Sequence, residues 1–223
     1  DFIAAFSHEL KTPLTAVIGY ADLLRSRKMD EEKHFLSANY IYTEGKRLEA
    51  MSLRLLDIIV TKRGELIPQE MDVEVLFRYL KDMYEEQQKH PFAFRYEPGR
   101  IYGEADLLKS VLLNLADNAC KASEPGSTIE VFGEKRKEGY LFGVKDEGVG
   151  ISPEDCRRIT EAFYMVDKSR SRSHNGAGLG LALCAEILKL HGSSLEITST
   201  LGEGSTFAFV IPYGTGTEGA REL

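Results

Sequence analysis

The amino-acid sequence predicts an α+β chain in two parts. An N-terminal antiparallel helical hairpin becomes a four-helix bundle in a dimer. An α/β sandwich follows, with a mixed sheet covered by helices on one face. Three observations predict this. Apolar residues of the N-terminal quarter recur on a heptad: Ile3, Leu10, Val17 and Leu24, interleaved with Phe6, Pro13 and Tyr20. A polar stretch, Lys62 to Met71, with Gly64 and Pro68, then breaks the pattern. Beyond it, runs with strand and helix periodicity come in groups rather than in strict alternation.

In order, the first helix covers residues 1 to about 26. Ser26 to Asp30 forms a polar turn, with Asp30 as N-cap of a second helix that runs to about Thr61. Ile41, Leu48 and Leu55 recur at seven, with Met51 and Ile58 between them. A lone hairpin leaves much of this surface uncovered, which predicts a homodimer through residues 1–64. After the linker, Val73 to Gln88 has helical spacing at Val73, Leu76, Leu80 and Met83. Phe92 to Tyr96 alternates as a strand, and Ile101-Tyr102 is a short one. Glu104 to Ala122 is helical. Thr128–Lys135 and Tyr140–Asp146 form a hairpin around Lys137-Glu138-Gly139. Pro153 to Ile159 is a short helix, and Phe163 to Asn175 a mobile polar loop. Leu179–Leu190 is a helix, followed by strands at Leu195–Thr200 and Thr206–Ile211. Residues 65–213 make the second domain, and the Gly/Thr-rich residues 214–223 a disordered tail.

Composition narrows the function. The chain has 223 residues, 43% apolar and 28% charged, a soluble globular balance. A net charge of −7 argues against nucleic acid as a partner. No apolar run approaches the roughly 20 residues that span a bilayer. Cys120, Cys156 and Cys184 have no metal-ligand spacing and read as reduced thiols in a cytoplasmic setting. The sequence starts inside a helical pattern without Met, so it is expected to be a module of a longer protein.

Four segments carry candidate chemistry. In Phe6-Ser7-His8-Glu9-Leu10-Lys11-Thr12-Pro13, the heptad register puts His8 outermost, away from the seam. A neutral imidazole is a nucleophile, and Glu9 beside it can take a ring proton. Pro13 clashes with the carbonyl of Glu9 and is expected to bend the helix. Asn114, Asn118 and Lys121 share one helix face. Their amide oxygens suit Mg²⁺ shared with phosphates, and the lysine suits a phosphate; the plain alternative is a solvated polar face. Asp146-Glu147-Gly148-Val149-Gly150 ends a strand. There Asp146 can accept from an exocyclic amine such as adenine's, and Gly148 and Gly150 admit a ring closely; the plain alternative is a turn. Asn175-Gly176-Ala177-Gly178-Leu179-Gly180 opens a helix and offers backbone N–H groups to phosphate. Lys168, Arg170 and Arg172 stand before it. No apolar strand precedes these glycines, as a dinucleotide fold requires, and no Walker loop occurs. A third glycine-rich turn, Gly202-Glu203-Gly204-Ser205-Thr206, reads as structural.

These pieces, in this order, resemble a sensor histidine kinase of two-component signalling, over nearly the whole chain. The resemblance implies a dimerisation and phosphoacceptor domain at 1–64 and a gyrase-type ATP-binding domain after it. It implies ATP and Mg²⁺, with His8 as phosphoacceptor, Glu9 as general base, and Thr12 orienting a water for dephosphorylation of a partner. It further implies Asn118 at the metal, Asn114 and Lys121 at the phosphates, and Asp146 at adenine with Gly148 and Gly150. Gly176, Gly178 and Gly180 would line the triphosphate, and Lys168, Arg170 and Thr206 would bind the nucleotide. The implied product path runs from His8 to an aspartate of a response regulator receiver domain, docked near Val17 to Leu24. The parent protein would sit in the plasma membrane through segments outside this sequence, with this portion in the cytoplasm. One departure stands out: where many relatives carry arginines, this chain has Ala162 and Met165. Two other readings compete. One is an ATPase or chaperone-like machine, which the outward His8 disfavours. The other is a non-enzymatic scaffold, which the complete set of site motifs disfavours.

Overall fold

The structure is a computed structural model describing residues 2–63, 66–85, 89–166 and 178–213, with side chains at 2–6, 8, 9 and 54–63 excepted. In chain order the elements are α1 (Phe2–Ser26), α2 (Glu31–Arg63), β1 (Gln69–Asp72), α3 (Glu74–Tyr84), β2 (Phe92–Tyr96), β3 (Arg100–Gly103) and α4 (Ala105–Ala122). Then come β4 (Ile129–Lys135), β5 (Gly139–Asp146), α5 (Pro153–Cys156), α6 (Gly180–Leu190), β6 (Glu196–Thr200) and β7 (Gly204–Pro212). The expected tail, 214–223, lies outside the described residues.

α1 and α2 form the hairpin. Asp30 starts α2 as a capping residue: its carboxylate accepts the Lys33 N–H at 2.8 Å, and Glu31 and Glu32 follow in the first turn. α1 runs through Pro13 without interruption, and Pro13 is buried, packed in the seam. Tyr20 and Tyr40 stack across the hairpin at 4.8 Å. Leu10, Val17, Leu24, Ile41 and Leu48 are only half-buried. Leu14, Ile18, Phe35 and Leu53 remain exposed.

The linker is shorter than its composition suggested. Lys62 and Arg63 extend α2, and Gln69–Asp72 is a strand paired antiparallel with β3, Glu70 opposite Tyr102. Nothing apolar alternates in Gln-Glu-Met-Asp. The backbone ladder and Arg100, which reaches Asp72 at 3.1 Å and Glu70 at 3.6 Å, hold it instead. α3 stops at Tyr84, short of the expected Gln88, and residues 86–88 lie outside the described ones.

The main sheet has the order β2-β4-β5-β7-β6. β2 and β4 are parallel and every other pair is antiparallel, so the sheet is mixed. α3, α4 and α6 cover one face. Phe142 at the centre is fully buried against Phe77, Tyr140 and Phe209 at 4.8 to 6.0 Å. Removing such a ring from water contributes about 1.5–3 kcal/mol. α2 also packs on α6, where Met51 is fully buried and joins the sandwich core.

Candidate functional site

α4 buries Leu108, Leu112, Leu115 and Ala119 against the sheet. Helical periodicity therefore turns Asn114, Asn118 and Lys121 away from the core, where all three are half-buried. Asn114 donates its amide N–H to the Ser110 carbonyl at 2.8 Å. Its own carbonyl oxygen is thereby left as the group for a ligand. Among the described residues, no cluster of three or more His, Cys, Asp or Glu is disposed to hold a metal. A cation held by these carboxamides would need further oxygens from its ligand, as Mg²⁺ takes from phosphates.

Asp146 ends β5 and is 2% exposed. Its Oδ1 accepts the Gly148 N–H at 2.9 Å. Burial holds the Asp146 carboxyl above the ordinary range, partly offset by the backbone N–H groups of Gly148 and Ser205. The loop after it is pressed on both sides. A Cβ at Gly148 would stand 2.6 Å from the Ala122 carbonyl, which closes α4 and accepts the Val149 N–H at 3.1 Å. Gly150 lies at φ +67° with its α-carbon against the Thr200 carbonyl. Gly204, at φ +112°, lies against the Asp146 carbonyl. The loop that follows Asp146 is thus hydrogen-bonded to the end of α4, one turn past Asn118.

α6 completes the enclosure. Gly178, at φ +65°, accepts the Phe163 N–H at 2.8 Å through its carbonyl, and a Cβ on it would meet Tyr164 at 2.8 Å. Phe163 is buried and takes a positive φ of 67°. Tyr164 donates to Asp155 at 2.6 Å, with the Arg158 guanidinium 4.1 Å above its ring. The loop before α6 is therefore pinned at its start. Ala162 is half-buried and packs on the core, so an apolar residue suits that place.

Other expected residues fall elsewhere. Lys168, Arg170 and Gly176 lie outside the described residues. Gly180 is buried in the first turn of α6. Thr206 is not brought to the site. β7 alternates, so Ser205 shares the helix-covered face with Phe207, while Thr206 points to the other side between Lys145 and Thr198. It is Ser205 that stands opposite Asp146. His8 and Glu9 lie on α1, with side chains outside the described set, and Thr12 is exposed one turn on.

Three further residues shape this region. Ser199 accepts the Ile151 N–H at 2.8 Å and donates to the Gly204 carbonyl at 2.8 Å, tying the Asp146–Gly150 loop to the β6–β7 turn. Tyr84 and Asp117 are joined at 2.8 Å. Asp117 could have been found from spacing, since it is three residues past Asn114 on the same face. Tyr84 could not. Asp117, Asn114, Ser110, Tyr79, Leu113 and Leu183 line a cleft of about 440 Å³ between α3, α4 and α6.

Comparison with known proteins accounts for both parts. The histidine kinase-, DNA gyrase B- and HSP90-like ATPase family matches residues 103–215. The His Kinase A phospho-acceptor domain matches residues 1–58. Sensor protein SrrB of Staphylococcus aureus strain N315 is 33% identical over 221 residues, covering 95% of this chain and 38% of SrrB. The chain thus spans little more than a third of that relative. Among solved structures, Acinetobacter baumannii histidine kinase AdeS has a TM-score of 0.71 at 21% identity, over 93% of this chain and 98% of AdeS. Histidine kinase ThkA, solved with response regulator protein TrrA, has a TM-score of 0.78 at 22% identity, over 97% and 62%. These two speak to the fold alone. ShkA, solved with AMPPNP, is 27% identical with a TM-score of 0.66, over 95% and 45%. Hairpin and sandwich match in this order the two parts of one enzyme family, and the chain belongs to the sensor histidine kinases.

Proposed function

We propose that this chain transfers the γ-phosphoryl group of ATP to His8 and from there to an aspartate of a response regulator. The observation that carries this is the presence, in one chain, of a phosphoacceptor helix with His8 and a sandwich that ties the loop after Asp146 to the end of α4. Asp146 accepts the adenine amine, held by the Gly148 N–H in the right direction. Gly148 and Gly150 keep the loop low enough for a ring. Asn118 would hold Mg²⁺, which neutralises phosphate charge when bound, while Asn114 and Lys121 meet the phosphates. The N–H groups at the start of α6, with Gly176 and Gly178, line the triphosphate; Lys168 and Arg170 reach its oxygens. One ring nitrogen of His8 attacks phosphorus as the bond to the β-phosphate oxygen breaks. ADP leaves, and Glu9 takes the proton from the other ring nitrogen. Thr12 serves the reverse duty, orienting water to hydrolyse the phosphorylated regulator.

Exposed Leu14, Ile18, Phe35 and Leu53 support a homodimer through residues 1–64, and they support a regulator docked along Val17 to Leu24. No described helix is long and apolar enough to cross a membrane. We place this portion on the cytoplasmic side of a membrane-anchored parent. Incubation with γ-labelled ATP and Mg²⁺ tests the reading. Acid-labile, base-stable label on the native chain and none on His8→Gln is expected. Hydrolysis persisting in the variant, with label on neither, would replace it with an ATPase.

A further inference from the structure

Tyr84 is 6% exposed, and its ring is stacked on Phe92 at 4.1 Å and 16°. From that fixed seat on α3 it crosses to α4 and donates its hydroxyl proton to Asp117 at 2.8 Å. Asp117 is itself exposed and lines the same cleft as Asn114. A rigid, buried arm therefore fixes one oxygen of a surface carboxylate. The second oxygen has no partner among the described residues. The position of that carboxylate is the unusual part. Asp117 lies three residues after Asn114, four before Lys121 and directly before Asn118. At helical spacing it belongs to the edge of the face assigned to a polyanion. A carboxylate there repels bare phosphates. The repulsion turns to attraction when a hydrated divalent cation lies between them, because the waters on the cation donate to the carboxylate. Mg²⁺ suits this best, since it retains several waters when it binds through few protein groups.

We propose that Asp117, aligned by Tyr84, makes the site select metal-loaded over metal-free nucleotide, by accepting hydrogen bonds from water on the bound cation. Asp117 is the contacting group and Tyr84 a positioning residue. The inference rests on the nucleotide reading above and assigns a residue that reading leaves unused.

The test is calorimetric titration of the whole chain with AMPPNP, once in Mg²⁺ and once in EDTA, for the native protein, Asp117→Asn and Tyr84→Phe. The asparagine keeps an oxygen for the Tyr84 hydroxyl and removes only the charge. The ratio of the metal-free to the metal-loaded dissociation constant should fall about tenfold in Asp117→Asn, from weaker binding with Mg²⁺ and tighter binding without it. Tyr84→Phe should lower the ratio about two- to threefold, through loss of alignment alone. A tie that only holds α3 to α4 would weaken both titrations equally and leave the ratio where it was, and that result overturns the proposal. Should Tyr84→Phe not fold, Asp117→Asn decides alone. If the native chain binds neither form, the nucleotide reading itself falls; if it binds both and Asp117→Asn leaves the ratio unchanged, only this inference does.

Discussion

Gly45 in α2 and Gly150 after β5 mark the two ways this chain is built. Around Gly45 there is open space: among the described residues a Cβ added there meets nothing within 4 Å. At Gly150 the same addition runs into the Thr200 carbonyl, and φ is +67°. The hydrophobic residues divide in the same way. The sandwich buries Phe142, Phe209 and Leu112 completely, while the hairpin leaves Phe35 70% and Ile18 60% exposed. One region is finished within a single chain, and backbone presses on backbone at its site. The other leaves large apolar side chains on its surface. Substitutions of one kind should therefore act oppositely in the two regions.

The largest effect is expected in the sandwich. Gly150→Ala forces an L-residue into left-handed backbone and pushes a methyl against a strand-end carbonyl. A loss of about 2–5 kcal/mol is expected in urea unfolding, with nucleotide binding falling alongside it. Nucleotide binding should suffer because the Asp146–Gly150 loop has no slack: Val149 is tied to Ala122 on one side and to Gly202 on the other, at 3.1 and 2.9 Å. Unchanged stability would mean that the loop can open, and the contrast with Gly45 would be lost.

A smaller effect is expected from pH, again confined to the sandwich. His191 at the end of α6 is buried. The Glu104 N–H can only donate, so Nε2 accepts from it at 3.1 Å, and Nδ1 carries the proton toward the Ile187 carbonyl at 2.9 Å. Burial lowers the His191 pKa below its ordinary 6.5, against opposing contributions from the Ile187 carbonyl and the Glu104 carboxylate. The neutral ring is therefore the folded form. Its contribution is present above 6.5 and is lost as pH falls through the lower folded value, when a second ring N–H meets the Glu104 N–H. Stability should drop by about 1–2 kcal/mol on acidification below that point, and His191→Gln should flatten the slope. An unchanged slope would show that this link between α4 and α6 does not control acid stability.

The sequence made the paired helices, the covered sheet and the glycine loops legible, because each has its own periodicity or turn chemistry. What it hid has a common physical form. β1 is held by a ladder and by Arg100, so Gln-Glu-Met-Asp carries no hydrophobic signal. Met51 fits the heptad equally well as hairpin seam or as sandwich contact, and only the packing of α2 on α6 decides. Tyr84 and Asp117 are 33 residues apart and meet only because α3 and α4 lie side by side. Ser205 faces Asp146's side of β7 and Thr206 the other, because in a strand one residue changes the face. Long-range meetings and strand phase are the properties that local pattern does not encode.

The smallest effect, opposite in sign to Gly150→Ala, is expected at Gly45. A mid-helix glycine pays more backbone entropy on folding than alanine does, so Gly45→Ala should stabilise the hairpin by about 0.5–1 kcal/mol. The midpoint of thermal unfolding, compared at one protein concentration, reads the change, because a dimerising hairpin also melts higher as concentration rises. A rise that is the same at every concentration places Gly45 on the solvated side of the bundle, where the methyl touches nothing. A fall would be more informative still. Among the described residues the methyl meets no atom within 4 Å, so the obstruction would point to a second copy, with a dimer seam running past Gly45 rather than along the exposed Leu14 and Ile18 of α1.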